Sequence, residues 1–208
     1  IILLHGFGAS TYSWLPVIDE LAKYGHVVAY DRTGFGFTDR PMSWNGTNPY
    51  SFAGQLQLLE AVLTHFGENR EIVLVGHSAG GQLAAQYVVD HPGKISALIL
   101  ESPAILTPGP PDLLSVLLRA KFLQERGPRW VGGFAKIGNK ILFDSFYDKS
   151  KLTEDVIRGY ERPMDNPDWR EGFWEFLKAS KRSDVHKRLS EIAIPTFVIT
   201  GQHDQIVK

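Results

Sequence analysis

An α/β fold with a mostly parallel central sheet is predicted by three observations on these 208 residues. Short apolar runs recur at residues 1–4, 27–30, 72–75 and 95–100, and again at 196–200. Helical patterns separate them, and a Gly-X-Ser-X-Gly pentapeptide stands where one run gives way to a helix. Runs too short for free-standing helices, apolar without alternation, are how strands covered on both faces read. Single helices between them imply right-handed crossovers and a sheet flanked by helix layers.

Each helix has its own signal. Residues 14–23 form the first pattern. Residues 52–66 follow Ser51, a residue type favoured at N-caps, and place Leu56, Leu59, Leu63 and Phe66 on one face. Residues 79–90 end at His-Pro-Gly. From 102 to 190 the alternation of strand and helix stops. Proline and glycine turns such as Thr-Pro-Gly-Pro-Pro and many aromatic and basic residues replace it, predicting a mostly helical insertion. The expected division is core 1–101, helical cap 102–190 and resumed core 191–208.

Composition excludes several function classes. A formal net charge of −1 without a long Lys/Arg run provides no footprint for nucleic acid. No apolar run approaches the roughly 20 residues of a membrane span, so a soluble protein is expected. The absence of cysteine removes thiolate catalysis and disulfides and leaves the compartment open. The expected partner is a small, hydrophobic, ester-like molecule, and oligomeric state is unread.

The pentapeptide is Gly76-His77-Ser78-Ala79-Gly80. Between a buried strand and a helix it predicts a sharp turn that lifts the Ser78 hydroxyl above the sheet edge. A phosphate loop would need Gly-X-Gly-X-X-Gly or a Walker lysine, and neither is present. If Ser78 attacks a carbonyl, the developing oxyanion needs two donors: Ala79 N–H, just after the nucleophile, and Phe7 N–H, from the His5-Gly6-Phe7-Gly8 loop after the first strand. Two carboxylates end strands beyond Ser78. The order nucleophile, acid, histidine favours Asp204 over Glu101, while Asp31 is expected to organise its own loop.

Four segments in this order resemble the α/β-hydrolase fold family in its serine hydrolase branch with a helical cap: "HGFGAS", "DRTGFGFTDRP", "GHSAGG" and "GQHDQIV". The resemblance implies Ser78 as nucleophile, Asp204 as the acid that orients a histidine, Phe7 and Ala79 as the oxyanion hole, and His5, Gly6, Gly76, His77 and Gly80 as supports of these motifs. It also implies that the insertion is a lid. Serine at the elbow, where epoxide- and halide-processing members use aspartate, favours acyl transfer through an acyl-enzyme. No metal or organic cofactor is expected. The alternatives are a carbon–carbon bond hydrolase and a non-catalytic ligand binder of the same fold.

All seven histidines precede Asp204, and His186 alone merits a test as a substitute base. The resemblance therefore implies a chain cut at both ends, with the catalytic histidine beyond Lys208 and poor activity in the 208 residues alone. Of the aromatics between Arg119 and Lys181, some are expected to line an apolar pocket. Phe173, Trp174, Phe176 and Leu177 are spaced to pack a helix core.

Overall fold

The computed structural model describes residues 1–67, 70–107, 118, 120–181 and 183–207. Five strands, β1 (Ile2–Leu4), β2 (Val28–Tyr30), β3 (Val73–His77), β4 (Ala97–Glu101) and β5 (Thr196–Ile199), form one sheet. All neighbours are parallel, in the order β2-β1-β3-β4-β5. Leu3 lies opposite Ala29 and Val75, Val75 opposite Ile99, and Ile99 opposite Phe197.

The pleat divides the apolar runs between two faces. Ile2, Leu4, Leu74, Leu98 and Leu100 face α2 (Phe52–Gly67) and α3 (Ala79–Asp90), packing with Leu59, Leu63, Leu83 and Val88. Leu3 and Val75 face the other way, onto Trp14. Both faces of β1 and β3 are thus covered, which is why their sequences do not alternate. At the edge, β5 remains exposed, with Phe197 63% accessible.

Strands β3 and β4 run on past the last apolar residue to His77 and Glu101, which pair in register. Ladder hydrogen bonds need only the backbone, so hydropathy alone ended these strands too early. The first predicted helix divides in two. A 3₁₀ turn at Thr11–Trp14, capped by Ser10 Oγ on the Tyr12 N–H, precedes α1 (Leu15–Leu21), and Pro16 sits at its entry, where a missing N–H costs nothing. Ser51 caps α2 as expected, its hydroxyl accepting from Gly54 N–H at 3.1 Å.

Between β4 and β5 the structure carries α4 (Lys121–Ser145), α5 (Glu154–Glu161), α6 (Trp169–Ala179) and short 3₁₀ turns. No strand interrupts this stretch among the described residues. Residues 108–117, which hold most of the proline-rich entry, lie outside the description, as do the side chains of Phe122, Trp130 and Phe134. Trp174 of α6 is buried against Gly127 of α4, where a Cβ would come within 2.2 Å of the indole. Among the described residues no helix is long and apolar enough to cross a membrane.

Candidate active site

In a parallel sheet of order 2-1-3-4-5 the connections leave β1 and β3 on opposite faces, opening a crevice beyond their carboxyl ends. The two glycine motifs end these two strands.

The turn after β3 is as sharp as its composition requires. Ser78 has φ 52° and ψ −117°, a conformation that L-residues adopt only under constraint, at a cost of about 1–3 kcal/mol. The constraint is visible. Ser78 N–H donates to Glu101 O at 2.9 Å, and its carbonyl accepts from Ala104 N–H at 3.0 Å and Gln82 N–H at 3.2 Å. The flanking glycines make room: a Cβ on Gly76 would lie 2.6 Å from Gly80 O, and one on Gly80 would lie 2.3 Å from Leu4 O. The first turn of α3 therefore rests on the end of β1.

The loop after β1 meets this turn directly. A Cβ on Gly6 would come within 3.2 Å of Ser78 Cβ and 2.9 Å of His77 Nδ1. Phe7 follows at once, and among the described residues its N–H has no protein acceptor. Ala79 N–H is the first of α3 and has no acceptor within the helix. Both expected oxyanion donors thus flank the serine, while the Ser78 hydroxyl makes no capping bond of its own.

His5 holds the loop from beneath. It is fully buried, with Nδ1 2.8 Å from Gly6 O and Nε2 3.0 Å from the Arg32 N–H. Those partners fit the neutral tautomer protonated at Nδ1. Burial first, then the Arg32 charge, pushes its pKa well below the ordinary histidine value. Arg32 is itself buried, and burial lowers its pKa to about 10. Its Nη2 donates to Gly6 O at 3.1 Å, and the guanidinium lies 5.2 Å from the Phe35 ring centroid. Sequence reasoning did not foresee Arg32 as the clamp joining the two loops.

Asp31 does organise its own loop. Its carboxylate accepts from Thr11 N–H at 2.7 Å and Phe37 N–H at 2.9 Å. Gly36 is required here: it has φ +52°, and a Cβ would sit 2.0 Å from the Asp31 carboxyl.

Asp204 lies beyond β5 in a turn closed by its N–H on Gly201 O at 3.0 Å. Oδ1 accepts from Ile206 N–H at 2.8 Å and Val207 N–H at 2.9 Å. Partial burial raises its pKa, but bonds from Val207, the Ser102 hydroxyl and Ile206, together with nearby His77, outweigh burial and hold it below the ordinary aspartate value. Ser102 has φ 38° and donates its N–H to Ile199 O at 2.7 Å, tying β4 to the strand that carries Asp204. Glu101 is exposed, and it touches the serine turn through its backbone carbonyl.

A cavity of about 420 Å³ lies between these loops and helices α4 to α6; the serine turn contributes His77 to its wall, and Ser78 is not among the lining residues. Its apolar wall includes Phe7, Phe35, Leu142, Met164, Trp169 and Phe173. The expected division of the aromatics holds in part. Trp174 packs inward, whereas Phe173 and Leu177, read as helix core, line the cavity. Phe35 meets Phe176 at 4.7 Å between ring centroids, and Phe7 meets Phe173 at 5.5 Å. These contacts clamp α6 onto the loop that carries the expected oxyanion donor.

No histidine hydrogen-bonds to Ser78 among the described residues. His91 Nδ1 lies 3.0 Å from Tyr87 O, His26 and His65 pack edge-on to Phe66, and His203 stacks on Tyr147 at 4.2 Å. His186 lies in a 3₁₀ turn at Val185–Lys187, whose contacts are with α3. His77, expected to support the motif and to point away from the Ser78 side chain, lines the cavity.

A strained serine at the end of a central parallel strand, with a glycine loop beside it, defines the nucleophile-elbow class of α/β proteins. The chain belongs to the alpha/beta hydrolase fold family, whose model matches residues 1–208. It is 29% identical over 215 residues to monoacylglycerol lipase abhd6-B of Xenopus laevis and 28% identical over 215 residues to human monoacylglycerol lipase ABHD6. Both matches cover 100% of this chain and 62% of the relative, so the chain spans under two thirds of their length. Among solved structures, the meta-cleavage product hydrolase of Pseudomonas fluorescens IP01 superposes with a TM-score of 0.69 at 24% identity, covering 99% of this chain and 73% of that one. At that identity the likeness concerns the fold.

Proposed function

We propose that the full-length protein carrying this sequence is a serine hydrolase that cleaves carboxylic esters with an apolar acyl or alcohol part through an acyl-enzyme. The observation that carries the reading is Ser78, strained at φ 52° beside Gly6, next to His77 and Phe7, which line an apolar cavity. Ester hydrolysis is favoured further by the lipases among the relatives.

The mechanism follows from the groups present. Ser78 Oγ gives its proton to a histidine and attacks the ester carbonyl; Phe7 and Ala79 N–H stabilise the oxyanion; the alcohol leaves with the proton. Water then enters by the reverse proton path and releases the acid. Asp204, already held as a carboxylate, orients the histidine and stabilises the imidazolium. Among the described residues no histidine hydrogen-bonds to Ser78, and the reading takes the base to be a histidine outside 1–208. Residues 102–190 are assigned as the cap and 1–101 with 191–208 as the core.

Turnover of nitrophenyl esters by the full-length protein tests this reading. Ser78→Ala is expected to reduce turnover by about 10⁴- to 10⁶-fold. A carbon–carbon bond hydrolase would instead cleave a vinylogous diketone much faster than any ester, and that result would replace the ester reading.

A further inference from the structure

One buried cation has no part in the chemistry above. Arg32 is 3% accessible, and among the described residues no carboxylate forms an ion pair with it. Its Nε has no hydrogen-bond partner. A guanidinium so little compensated is costly in a dry interior, and burial lowers its pKa to about 10, which still keeps the charge at neutral pH.

What the charge does touch is one peptide group. Arg32 Nη2 donates to Gly6 O at 3.1 Å, and His5 Nδ1 donates to the same oxygen at 2.8 Å. The nitrogen of that peptide belongs to Phe7. The bond is trans, so the Phe7 N–H points opposite to Gly6 O and away from Arg32.

We propose that Arg32 is a positioning residue for the oxyanion hole: through the Gly6–Phe7 peptide it aims the Phe7 N–H and makes it a stronger donor than a neutral side chain would. The inference rests on the ester-hydrolase reading, in which Phe7 N–H is one of the two oxyanion donors.

Two effects act in the same direction. A hydrogen bond accepted by a carbonyl polarises the amide and strengthens its N–H as a donor, and a charged donor does so more than a neutral one. The charge also acts at range. The 3.1 Å bond, the width of the peptide and one further hydrogen bond place the oxyanion about 8 Å from Arg32 Nη2. At that distance and an effective dielectric of about 20, a unit charge changes an equilibrium about 30-fold. Arg32 is among the groups that act on His77, so its field reaches the serine turn. Glu101 and Asp204 act there with the opposite sign, but Glu101 is exposed and Asp204 partly so, and water screens them as it does not screen Arg32.

The cation is held in place from two sides. Its backbone N–H donates to His5 Nε2 at 3.0 Å, and its guanidinium lies over Phe35, whose ring meets Phe7 edge-on at 5.9 Å.

The test compares wild type, Arg32→Gln and Arg32→Lys in the full-length protein, with an octyl trifluoromethyl ketone and 1-octanol as probes. The Ser78 oxygen adds to the ketone carbon, the C=O electron pair passes to the oxygen as an oxyanion and the serine proton passes to the histidine; octanol occupies the cavity without an oxyanion. Arg32→Gln removes the charge and is expected to weaken the ketone about 10- to 30-fold while leaving octanol within about 2-fold. Arg32→Lys keeps a cation, is expected to hold the ketone within about 3-fold of wild type, and carries the comparison if the glutamine variant folds poorly. A readout free of chemistry is the 15N resonance of Phe7, which reports hydrogen bonding at Gly6 O and is expected to move upfield in Arg32→Gln. Ketone and octanol weakened alike, a lysine variant that loses the ketone 10-fold or more, or a Phe7 resonance that stays in place overturns the inference. Failure of the ester reading appears separately, as a wild type that binds no ketone.

Discussion

Gly80→Ala tests whether the first turn of α3 and the end of β1 meet as closely as described. The added methyl would stand 2.3 Å from Leu4 O and 2.7 Å from His5 O, both backbone atoms with no side-chain freedom to yield. Ordinary contact begins near 3.4 Å, so α3 must retreat by about 1 Å. Overpacking of this kind costs about 1–3 kcal/mol or more, and rigid neighbours place it at the upper end. Replacing glycine in a helix returns about 1 kcal/mol. The net loss is roughly 2–3 kcal/mol, which lowers Tm by about 4–12 °C in a protein of this size. Circular dichroism melts supply the measurement. Gly133→Ala, in α4 with nothing within 4 Å of its Cβ, is the control and should raise Tm by about 2–4 °C. The retreat would also displace Ala79 N–H from Phe7 N–H, and a misplacement of about 1 Å can cost about 10²-fold in kcat. A Gly80→Ala protein that melts with the wild type would refute the close approach and the reason given for this glycine.

Two further outcomes follow from His5 and Asp31 at the ends of β1 and β2. His5 carries a lower pKa folded than unfolded, so its contribution to stability is complete above about pH 6.5 and is lost as pH falls from there toward the folded value, at up to about 1.4 kcal/mol per pH unit. Urea midpoints at pH 7.5, 6 and 5 should fall more steeply in wild type than in His5→Gln, and parallel slopes would remove His5 as the cause. Asp31→Ala leaves the part-buried Thr11 N–H and the exposed Phe37 N–H without their acceptor and should cost about 1–3 kcal/mol, seen as a Tm lowered by roughly 2–12 °C. A loss under about 1 kcal/mol would mean that water replaces the carboxylate there.

The sheet was legible because its strands are covered on both faces and carry unbroken apolar runs. Strand ends were less so: His77 and Glu101 pair through backbone atoms that hydropathy does not register. Ser78 was readable from its glycines, each of which answers to a specific close approach. Arg32 was not readable as a clamp, because nothing in "YDRTGFG" distinguishes a guanidinium buried on Gly6 O from a solvated one. The division of the α6 aromatics depended on where Gly127 lets Trp174 in and where Phe35 meets Phe176, both contacts between segments far apart in sequence.

The central claim is that Ser78 is an activated nucleophile, and covalent labelling of the full-length protein by a fluorophosphonate, read by peptide mass, tests it most directly. The account predicts one adduct on the peptide containing Ser78, and none in Ser78→Ala. No adduct on a folded wild-type protein, or an adduct on another serine, would contradict it and leave the cavity as that of a ligand binder.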